Sequence, residues 1–269
     1  MKKIIFILLA ALISQAVFAG GKKQESTRDR MTLEKGILNV GVEIGYPPFE
    51  YYDSDGKTPL GFDISMAKAL AGKLGLEVKF TDTAWDGIFA GVVTNKYDCA
   101  ISSITITDER KKIYNFTRPY INSVQSVVTL KKTSKNITRP QDLNGLKVGY
   151  QGDTVSGIYA ANLINEGIQL APFAYDKIIN CFDDLTIGRI DAIICDSPVA
   201  IYYGDAPDSP FITVWQEDSK EQFGICINKN NTALTEALDK ALYELFADGT
   251  MKRISEDTFK IDMVSATRR

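Results

Sequence analysis

Apolar positions along residues 37–101 alternate between strand-like runs and a helical period. An apolar run over 37–42 predicts a strand, and four apolar residues then recur every fourth position up to Gly75: Phe62, Met66, Leu70 and Leu74. This spacing is typical of one buried helix face, and glycine is a common helix terminator. The pattern continues with a predicted strand over 76–80, a helix over 85–95 and a strand over 97–101.

A second stretch repeats the same order of elements. Strands are predicted over 146–150, 168–173 and 190–194, with helices over 154–166 and 176–188 between them. The sequences NKYDCAI (95–101) and GRIDAII (188–194) occupy equivalent places in the two stretches. Alternating strands and helices indicate parallel sheets covered on both faces, so the pattern predicts two Rossmann-like α/β lobes.

The remaining segments predict how the lobes connect. An extended run covers 120–130, a strand covers 222–227, and a helix with four leucines on one face ends near Gly249, before a short terminal helix over 251–259. We expect the tail to return to the first lobe, with chain crossings near 120–124 and 218–224 forming a two-stranded hinge. The predicted division is lobe 1 over 31–121, lobe 2 over 122–220 and a return to lobe 1 over 221–269. Open α/β sheets bind ligands at the carboxyl ends of their strands, which places a cleft between the lobes.

The first nineteen residues have the pattern of a signal peptide. Lys2 and Lys3 precede an apolar run over 4–13, and Val17-Phe18-Ala19 supplies small residues for cleavage after Ala19. The polar stretch 20–30 is expected to be a flexible tail. The residue directly after the cleavage position is glycine and not cysteine, which argues against lipid attachment. The predicted location of the mature chain is the periplasm.

Composition narrows the chemistry. Loss of Lys2 and Lys3 with the leader changes the formal net charge from −3 to −5, which disfavours nucleic acid as a partner. The chain has no histidine, which excludes Ser-His and Cys-His catalysis and disfavours a zinc site, so neither a metal nor a cofactor is expected. Four cysteines in an oxidising compartment are compatible with disulfides, but their apolar surroundings favour buried free thiols: Cys99, Cys181, Cys195 and Cys226.

The segment 102–110 (SSITITDER) carries the main signal for a binding site. Residues with hydroxyl groups follow directly after a predicted strand. Thr107 is placed to open a helix that has Arg110 in its first turn. A guanidinium makes a two-pronged contact with a carboxylate, so the segment predicts a pocket for a small carboxylate. The alternative is that Arg110 belongs to a solvated, charged helix face.

Other candidate ligand residues follow predicted strands. Tyr46 in a proline-fixed loop and Trp85 at a helix start are placed to sandwich a ligand side chain, or to cover the sheet edge and pack in the core. Asp196 at a strand end is placed to accept an ammonium group, or to cap a helix before Pro198. Backbone N–H groups over 151–154 are placed to hold a carboxylate, with Asp153 a helix cap in the alternative interpretation.

These motifs together resemble the polar-amino-acid solute-binding proteins of bacterial ABC transporters, solute-binding protein family 3, which have the type II periplasmic binding fold. The resemblance covers about 33–262 and depends on the order and spacing of six motifs: GYPPFE (45–50), GFDI (61–64), WDG (85–87), ITITDER (104–110), FTRPY (116–120) and GRIDA (188–192).

The resemblance implies a role for each candidate residue. Arg110 pairs with the α-carboxylate of an L-amino acid, with Thr105 and the Thr154 backbone completing that contact. Asp196 and Ser103 take the α-ammonium group. The remaining residues border the ligand side chain: Tyr46, Trp85 and Ser102. A membrane permease of an ABC transporter is the implied protein partner, and the chain is expected to be a monomer.

Two acidic residues suggest the ligand. The resemblance places Glu43 at the far end of cationic or amide ligands and Asp153 along the side-chain channel. Two acids and two aromatic rings suit a guanidinium or ammonium group, so the preferred ligand is arginine or lysine. Cystine and glutamine stay open, because Val155 replaces a polar residue common in binders of basic amino acids and because the Glu43 and Trp85 motifs also look like those of cystine binders.

Two other classes of function compete with transport. The same fold hosts periplasmic dehydratases of cyclohexadienyl substrates, but an amino-acid contact set with both Arg110 and Asp196 argues against an enzyme. A receptor sensor module would need a membrane helix or an output domain, and no such segment is predicted.

Overall fold

The computed structural model describes residues 31–133, 135–204, 206 and 208–268. The predicted signal peptide and the flexible tail lie outside these residues. No helix among the described residues is long and apolar enough to span a membrane.

The first part of the described chain builds most of one sheet. Its elements are β1 (Ile37–Val42), β2 (Tyr51–Tyr52), β3 (Pro59–Leu60), α1 (Phe62–Leu74), β4 (Glu77–Asp82), α2 (Trp85–Val93), β5 (Cys99–Ala100), α3 (Asp108–Ile113) and β6 (Tyr114–Phe116). Helix α1 buries the predicted apolar residues Phe62, Met66 and Leu70, and it ends at Gly75, whose φ of 67° is the left-handed conformation that glycine adopts at low cost.

The middle part builds the second sheet. Its elements are β7 (Ile121–Ser123), β8 (Gln125–Leu130), a 3-10 helix (Pro140–Leu143), β9 (Lys147–Gln151), α4 (Val155–Asn165), β10 (Ala171–Tyr175), α5 (Ile178–Thr186), β11 (Ala192–Asp196), α6 (Ser197–Gly204) and β12 (Phe211–Gln216). Helix α6 and strand β12 are absent from the sequence-based assignment.

The last part returns to the first sheet. Its elements are β13 (Glu221–Phe223), β14 (Cys226–Asn228), α7 (Thr232–Ala247), α8 (Thr250–Phe259) and a 3-10 helix (Ser265–Arg268). The strand predicted over 222–227 is therefore two strands. Gly224 lies between them, where an added Cβ would be 2.7 Å from Cδ1 of Ile106, so the chain passes closely behind the 102–107 segment.

Each five-stranded sheet is mixed, and the prediction of parallel sheets holds only for three strands in each. The first sheet has the order β4-β1-β5-β14-β6, in which β1 is parallel to β4 and β5 while β14 is antiparallel to β5 and β6. The second has the order β10-β9-β11-β8-β12, in which β9 is parallel to β10 and β11 while β8 is antiparallel to β11 and β12. The antiparallel strands come from the segments next to the chain crossings.

A two-stranded antiparallel ribbon connects the two sheets. Strand β7 pairs with β13, with Ile121 opposite Phe223 and Ser123 opposite Glu221. The ribbon lies where the sequence predicts the two crossings, so the fold is two α/β lobes joined by a two-stranded hinge.

All four cysteines are buried and free. Burial raises the pKa of every one of these thiols, most strongly for Cys99 and Cys195. The interior therefore holds the cysteines as small apolar residues, in agreement with the interpretation that the sequence favours.

Candidate functional site

A cavity lies between the two sheets, at the carboxyl ends of β1, β5, β9 and β11. The residues that line it are Glu43, Tyr46, Trp85, Ser102, Ser103, Thr105, Arg110, Gln151, Thr154, Val155 and Asp196. Nine of the ten ligand residues predicted from the sequence are among them, and Asp153 is not.

Arg110 is held in place by the short helix that follows the hydroxyl-rich segment. Thr107 caps α3 by accepting a hydrogen bond from the Arg110 backbone N–H at 3.1 Å, and Nη1 of Arg110 donates to the carbonyl of Thr105 at 2.9 Å. The guanidinium lies 4.7 Å from the centre of the Phe89 ring and 5.7 Å from that of Trp85. Among the described residues no carboxylate pairs with it within 4.0 Å, and burial lowers its pKa. The site thus presents a half-buried cation with donors left for an anionic ligand.

Asp196 ends β11 on the other sheet and is 8% exposed. Its carboxylate accepts hydrogen bonds from the hydroxyl of Tyr46, from Nε2 of Gln125 at 3.1 Å and from the hydroxyl of Ser123 at 3.5 Å. Burial raises its pKa, while these hydrogen bonds and the charge of Arg110 lower it. The cavity therefore carries a fixed positive group and an acidic group from opposite lobes.

Ser102 and Ser103 form the wall of the cavity next to β5. Ser103 has a φ of 49°, and its backbone N–H donates to Asp63 at 2.7 Å while its buried hydroxyl has no partner among the described residues. The Ser102 hydroxyl donates to Glu50 at 2.7 Å and accepts from the Glu43 backbone N–H at 3.0 Å. Burial raises the pKa of both Glu50 and Asp63, and the two carboxyl groups share a side-chain hydrogen bond. A buried acid pair thus supports the serine loop from behind.

Glu43 directly follows β1, and its side chain meets the second lobe. Both carboxylate oxygens accept hydrogen bonds from Nε2 of Gln151 at 3.0 Å. Burial raises the pKa of Glu43 to about 7, against the lowering effects of Gln151 and of the charge on Lys177. Lys177 itself donates to the backbone carbonyl of Ile44 at 2.7 Å. Glu43 is therefore an acid whose charge changes near neutral pH.

Tyr46 and Trp85 bring aromatic surface to the cavity from the first lobe. Both are more than nine-tenths buried. Each also bonds to the second lobe, Tyr46 through its hydroxyl to Asp196 and Trp85 through Nε1 to the backbone carbonyl of Asp153 at 2.9 Å. The two rings therefore line the cavity and also connect the lobes.

The turn from β9 into α4 places Thr154 in the cavity and Asp153 outside it. Thr154 caps α4, its hydroxyl accepting from the Gly157 backbone N–H at 3.4 Å and donating to the Gln151 carbonyl at 2.7 Å. Asp153 has a φ of 56°, and its side chain is exposed at the surface. The structure therefore corrects the prediction that the Asp153 side chain borders the ligand channel, because only its backbone carbonyl contacts the site, through Trp85.

Gln151 and Val155 line the cavity although neither side chain was assigned a ligand role. Both flank the turn between β9 and α4, as the last residue of the strand and the first of the helix. A polar residue at the end of a predicted strand was the available signal for Gln151. Its contact with Glu43 joins residues 108 positions apart, so it required the tertiary structure.

Comparison with known proteins gives consistent matches over most of the chain. Residues 38–261 match the family described as bacterial extracellular solute-binding proteins, family 3. The L-cystine-binding protein TcyJ of Escherichia coli is 34% identical over 86% of this chain and 85% of its own length. The ABC transporter arginine-binding protein 1 of the same species is 31% identical over 96% of this chain and 99% of its own.

A solved structure matches the fold as well. The ancestral amino acid-binding protein AncCDT-1, a precursor of cyclohexadienyl dehydratase, superposes with a TM-score of 0.78 and 34% identity. The match covers 83% of this chain and 96% of that protein.

Proposed function

The chain belongs to the bacterial extracellular solute-binding proteins of family 3, and we propose that it captures a free L-amino acid in the cavity for delivery to the permease of an ABC transporter. The relatives that carry amino-acid names support this class of function. The observation that carries the proposal is the presence of opposite charges on two walls of the cavity, with the half-buried Arg110 on one lobe and the buried Asp196 on the other.

In this proposal the charged groups of an amino acid bind at fixed places. The α-carboxylate pairs with Arg110 and takes donors from Thr105 and the start of α4 at Thr154. The α-ammonium group donates to Asp196 and to the Ser103 hydroxyl, which has no partner among the described residues. A ligand held this way bonds both lobes at once, so it binds the closed state more tightly than the open one and favours closure.

Four contacts between the lobes support closure as the capture step. They are the Tyr46–Asp196, Glu43–Gln151 and Lys177–Ile44 hydrogen bonds and the bond from Trp85 to the Asp153 carbonyl. We propose lobe limits of 31–121 with 221–269 for the first lobe and 122–220 for the second. These limits assign the two partners of each contact to different lobes, so all four contacts break when the lobes open.

We propose arginine or lysine as the ligand, on the strength of Glu43. This acid is 2% exposed, lines the cavity and lies with Tyr46 and Trp85 on the lobe that supplies the aromatic surface. A guanidinium or ammonium group next to it would be stabilised by charge and by the aromatic rings. The exposed position of Asp153 removes the second acid of the sequence argument, so the preference for a cation depends on Glu43 alone.

Cystine is the second candidate. The position of Asp153 weakens the case for a cation, and Val155 adds an apolar side chain to the cavity wall. The relative that is 34% identical is a cystine-binding protein. A cystine ligand would place its second charged end near Glu43 and Gln151 while keeping the same contacts at Arg110 and Asp196.

A ligand panel with one isosteric pair tests the proposal. The mature protein is unfolded and refolded to remove bound ligand, and its melting temperature is measured with each L-amino acid, with cystine, and with citrulline as a neutral isostere of arginine. A ligand at about a hundred times its Kd adds about 2.7 kcal/mol of stability, a clear upward shift. A shift with arginine or lysine is expected, and no shift with any amino acid would overturn the proposed class of function.

Glu43→Gln then tests the role of the acid. We expect the substitution to weaken arginine binding more than citrulline binding, because only arginine carries the charge that Glu43 stabilises. Asp153→Asn is the matched control, since its side chain is exposed outside the cavity. Equal losses for arginine and citrulline, or a shift with cystine alone, would contradict the cation assignment and leave the amino-acid proposal in place.

The remaining parts of the proposal concern context. We propose that the mature chain works as a monomer in the periplasm after cleavage behind Ala19, and that it is a binding protein with no catalytic step. Incubation with a cyclohexadienyl substrate, followed by its absorbance, tests the last point, and turnover would favour the dehydratase alternative.

A further inference from the structure

Gln125 is fully buried where the chain leaves the hinge ribbon, yet it does not line the cavity. It begins β8, two residues after the end of β7. Its side chain makes three hydrogen bonds to groups from three other elements. Those contacts connect the ligand cavity to the hinge.

The amide nitrogen of Gln125 donates to two carboxylates. One bond goes to Oδ1 of Asp196 at 3.1 Å, and the other goes to Oε2 of Glu221 at 2.9 Å. Glu221 is the first residue of β13, so it belongs to the second strand of the hinge ribbon. One amide therefore bridges the acid at the cavity and an acid on the hinge.

The carbonyl oxygen of Gln125 makes the third contact, accepting from the Ser156 hydroxyl at 2.7 Å. Ser156 lies in the first turn of α4, two residues after Thr154. The Gln125 side chain is thus bonded next to both proposed ends of the amino acid, the carboxylate end at α4 and the ammonium end at Asp196.

We propose that Gln125 and Glu221 are positioning residues for the ammonium end of the cavity, connecting the Asp196 carboxylate to the β13 strand of the hinge. The assignment rests on the proposed binding of an amino-acid ammonium group at Asp196. Gln125 fixes the orientation of that carboxylate, and Glu221 fixes Gln125. Movement of the hinge strand then changes the geometry of the ammonium site, so closure completes it.

The pH dependence of ligand binding distinguishes this proposal from a purely structural role of Gln125 and Glu221. The charged groups that act on Glu221 are Asp196 on β11, Glu217 after β12 and Arg110 on α3. Burial and the neighbouring acids raise the pKa of Glu221 to about 7. An ammonium group next to Asp196 favours the charged form of Glu221, so binding releases a proton from this group near neutral pH and strengthens as the pH rises through 7.

The experiment compares three variants in full-length mature protein, with the amino acid that stabilises the wild type as the probe. Gln125→Leu removes all three hydrogen bonds at similar size. Glu221→Gln keeps an acceptor for Gln125 and removes the titrating group. Gln222→Leu is the control, since Gln222 lies on the same hinge strand and bonds across the ribbon to Asn122 at 3.0 Å, away from Asp196.

Isothermal titration between pH 6 and pH 8 gives the affinities, and circular dichroism verifies folding. We expect Gln125→Leu to raise Kd at least tenfold and Gln222→Leu to stay within twofold of the wild type. Glu221→Gln should bind at pH 6 with little loss and gain less affinity than the wild type between pH 6 and pH 8. Glu43 titrates in wild type and variant alike, so the difference between their pH profiles belongs to Glu221.

Two results would overturn the assignment. One is a folded Gln125→Leu protein that binds as tightly as Gln222→Leu. The other, decisive where Gln125→Leu does not fold, is a Glu221→Gln pH profile parallel to that of the wild type. Failure of the wild type to bind any amino acid is a separate outcome, which would reject the proposed function and this assignment together.

Discussion

Arg110→Ala is the most direct test of the proposed contact between the cavity and a ligand carboxylate. The half-buried side chain lies against the Trp85 and Phe89 rings, and one hydrogen bond to the Thr105 carbonyl orients it. No described acid lies within 4.0 Å of it, and burial lowers its pKa, so the folded protein keeps a partly desolvated cation without a paired carboxylate. A ligand carboxylate enclosed with it gains a charge-assisted contact that water no longer screens.

The size of the effect follows from this burial. Removing one partner of a buried, hydrogen-bonded charge pair costs about 2–5 kcal/mol. Each 1.4 kcal/mol is a factor of ten, so Arg110→Ala should raise Kd by about 30-fold to 4,000-fold. Arg110→Lys keeps the charge and loses the planar fork, so its Kd should lie between those of the wild type and Arg110→Ala. Stability without ligand should fall little, because the substitution also removes a cation that is costly to bury.

Isothermal titration calorimetry measures the affinities, and thermal unfolding without ligand measures stability. Arg118→Ala is a matched control, because Arg118 is paired with Asp239 at 2.7 Å outside the cavity. This control should keep the wild-type Kd. An Arg110→Ala protein that binds within twofold of the wild type would refute the carboxylate assignment, and an equal loss in Arg118→Ala would show that the effect is not local.

Three further predictions concern stability and reactivity. The pKa values of Glu43 and Glu221 are raised from 4.5 to about 7, so the folded chain holds protons that the unfolded chain releases, and stability should fall by about 1.4 kcal/mol per pH unit for each group between about pH 4.5 and 7. Urea unfolding of ligand-free protein should therefore give a lower free energy at pH 8 than at pH 5.5, and the opposite order would contradict the assignment of these shifts. Gly41→Ala should destabilise by about 1–3 kcal/mol, because its Cβ would overlap the buried Tyr97 ring, whereas Gly72→Ala on the exposed side of α1 has free space and should be neutral or stabilising by up to about 1 kcal/mol. Equal melting temperatures for the two glycine variants would rule out this packing argument. All four cysteines should react with a thiol reagent only after denaturation, and rapid labelling of the native protein would disprove their burial.

Local patterns were sufficient for most of the fold. Helix α1 was predictable because its apolar residues share one face and a glycine ends it, and α3 was predictable from Thr107 as an N-cap. Element limits moved by a few residues, and β5 covers only Cys99 and Ala100 of the strand predicted over 97–101. The mixed character of the sheets was not predictable, because strand direction depends on which segments cross between the lobes.

The candidate site also has one part that the sequence indicated and another part that required the tertiary structure. Residues at strand ends and helix starts were predictable, because the carboxyl ends of parallel strands meet at one edge of a sheet. The positions of Gln151, Gln125 and Glu221 were not, because each contacts a partner at least 70 positions away in the chain. Asp153 was expected at the ligand channel, but its side chain is exposed and lies outside the cavity lining.

By itself, the sequence determined the chemical content of this protein: two repeated α/β units, an arginine in the first turn of a helix, an aspartate of opposite charge at a strand end, and no histidine. These follow from local periodicity, capping and composition, which depend on neighbours in the chain. Only the tertiary structure decided which side chains share the cavity, which acids are buried enough to titrate near pH 7, and how the cavity connects to the hinge. Those properties depend on burial and on contacts between the two lobes, and neither is encoded in any single segment.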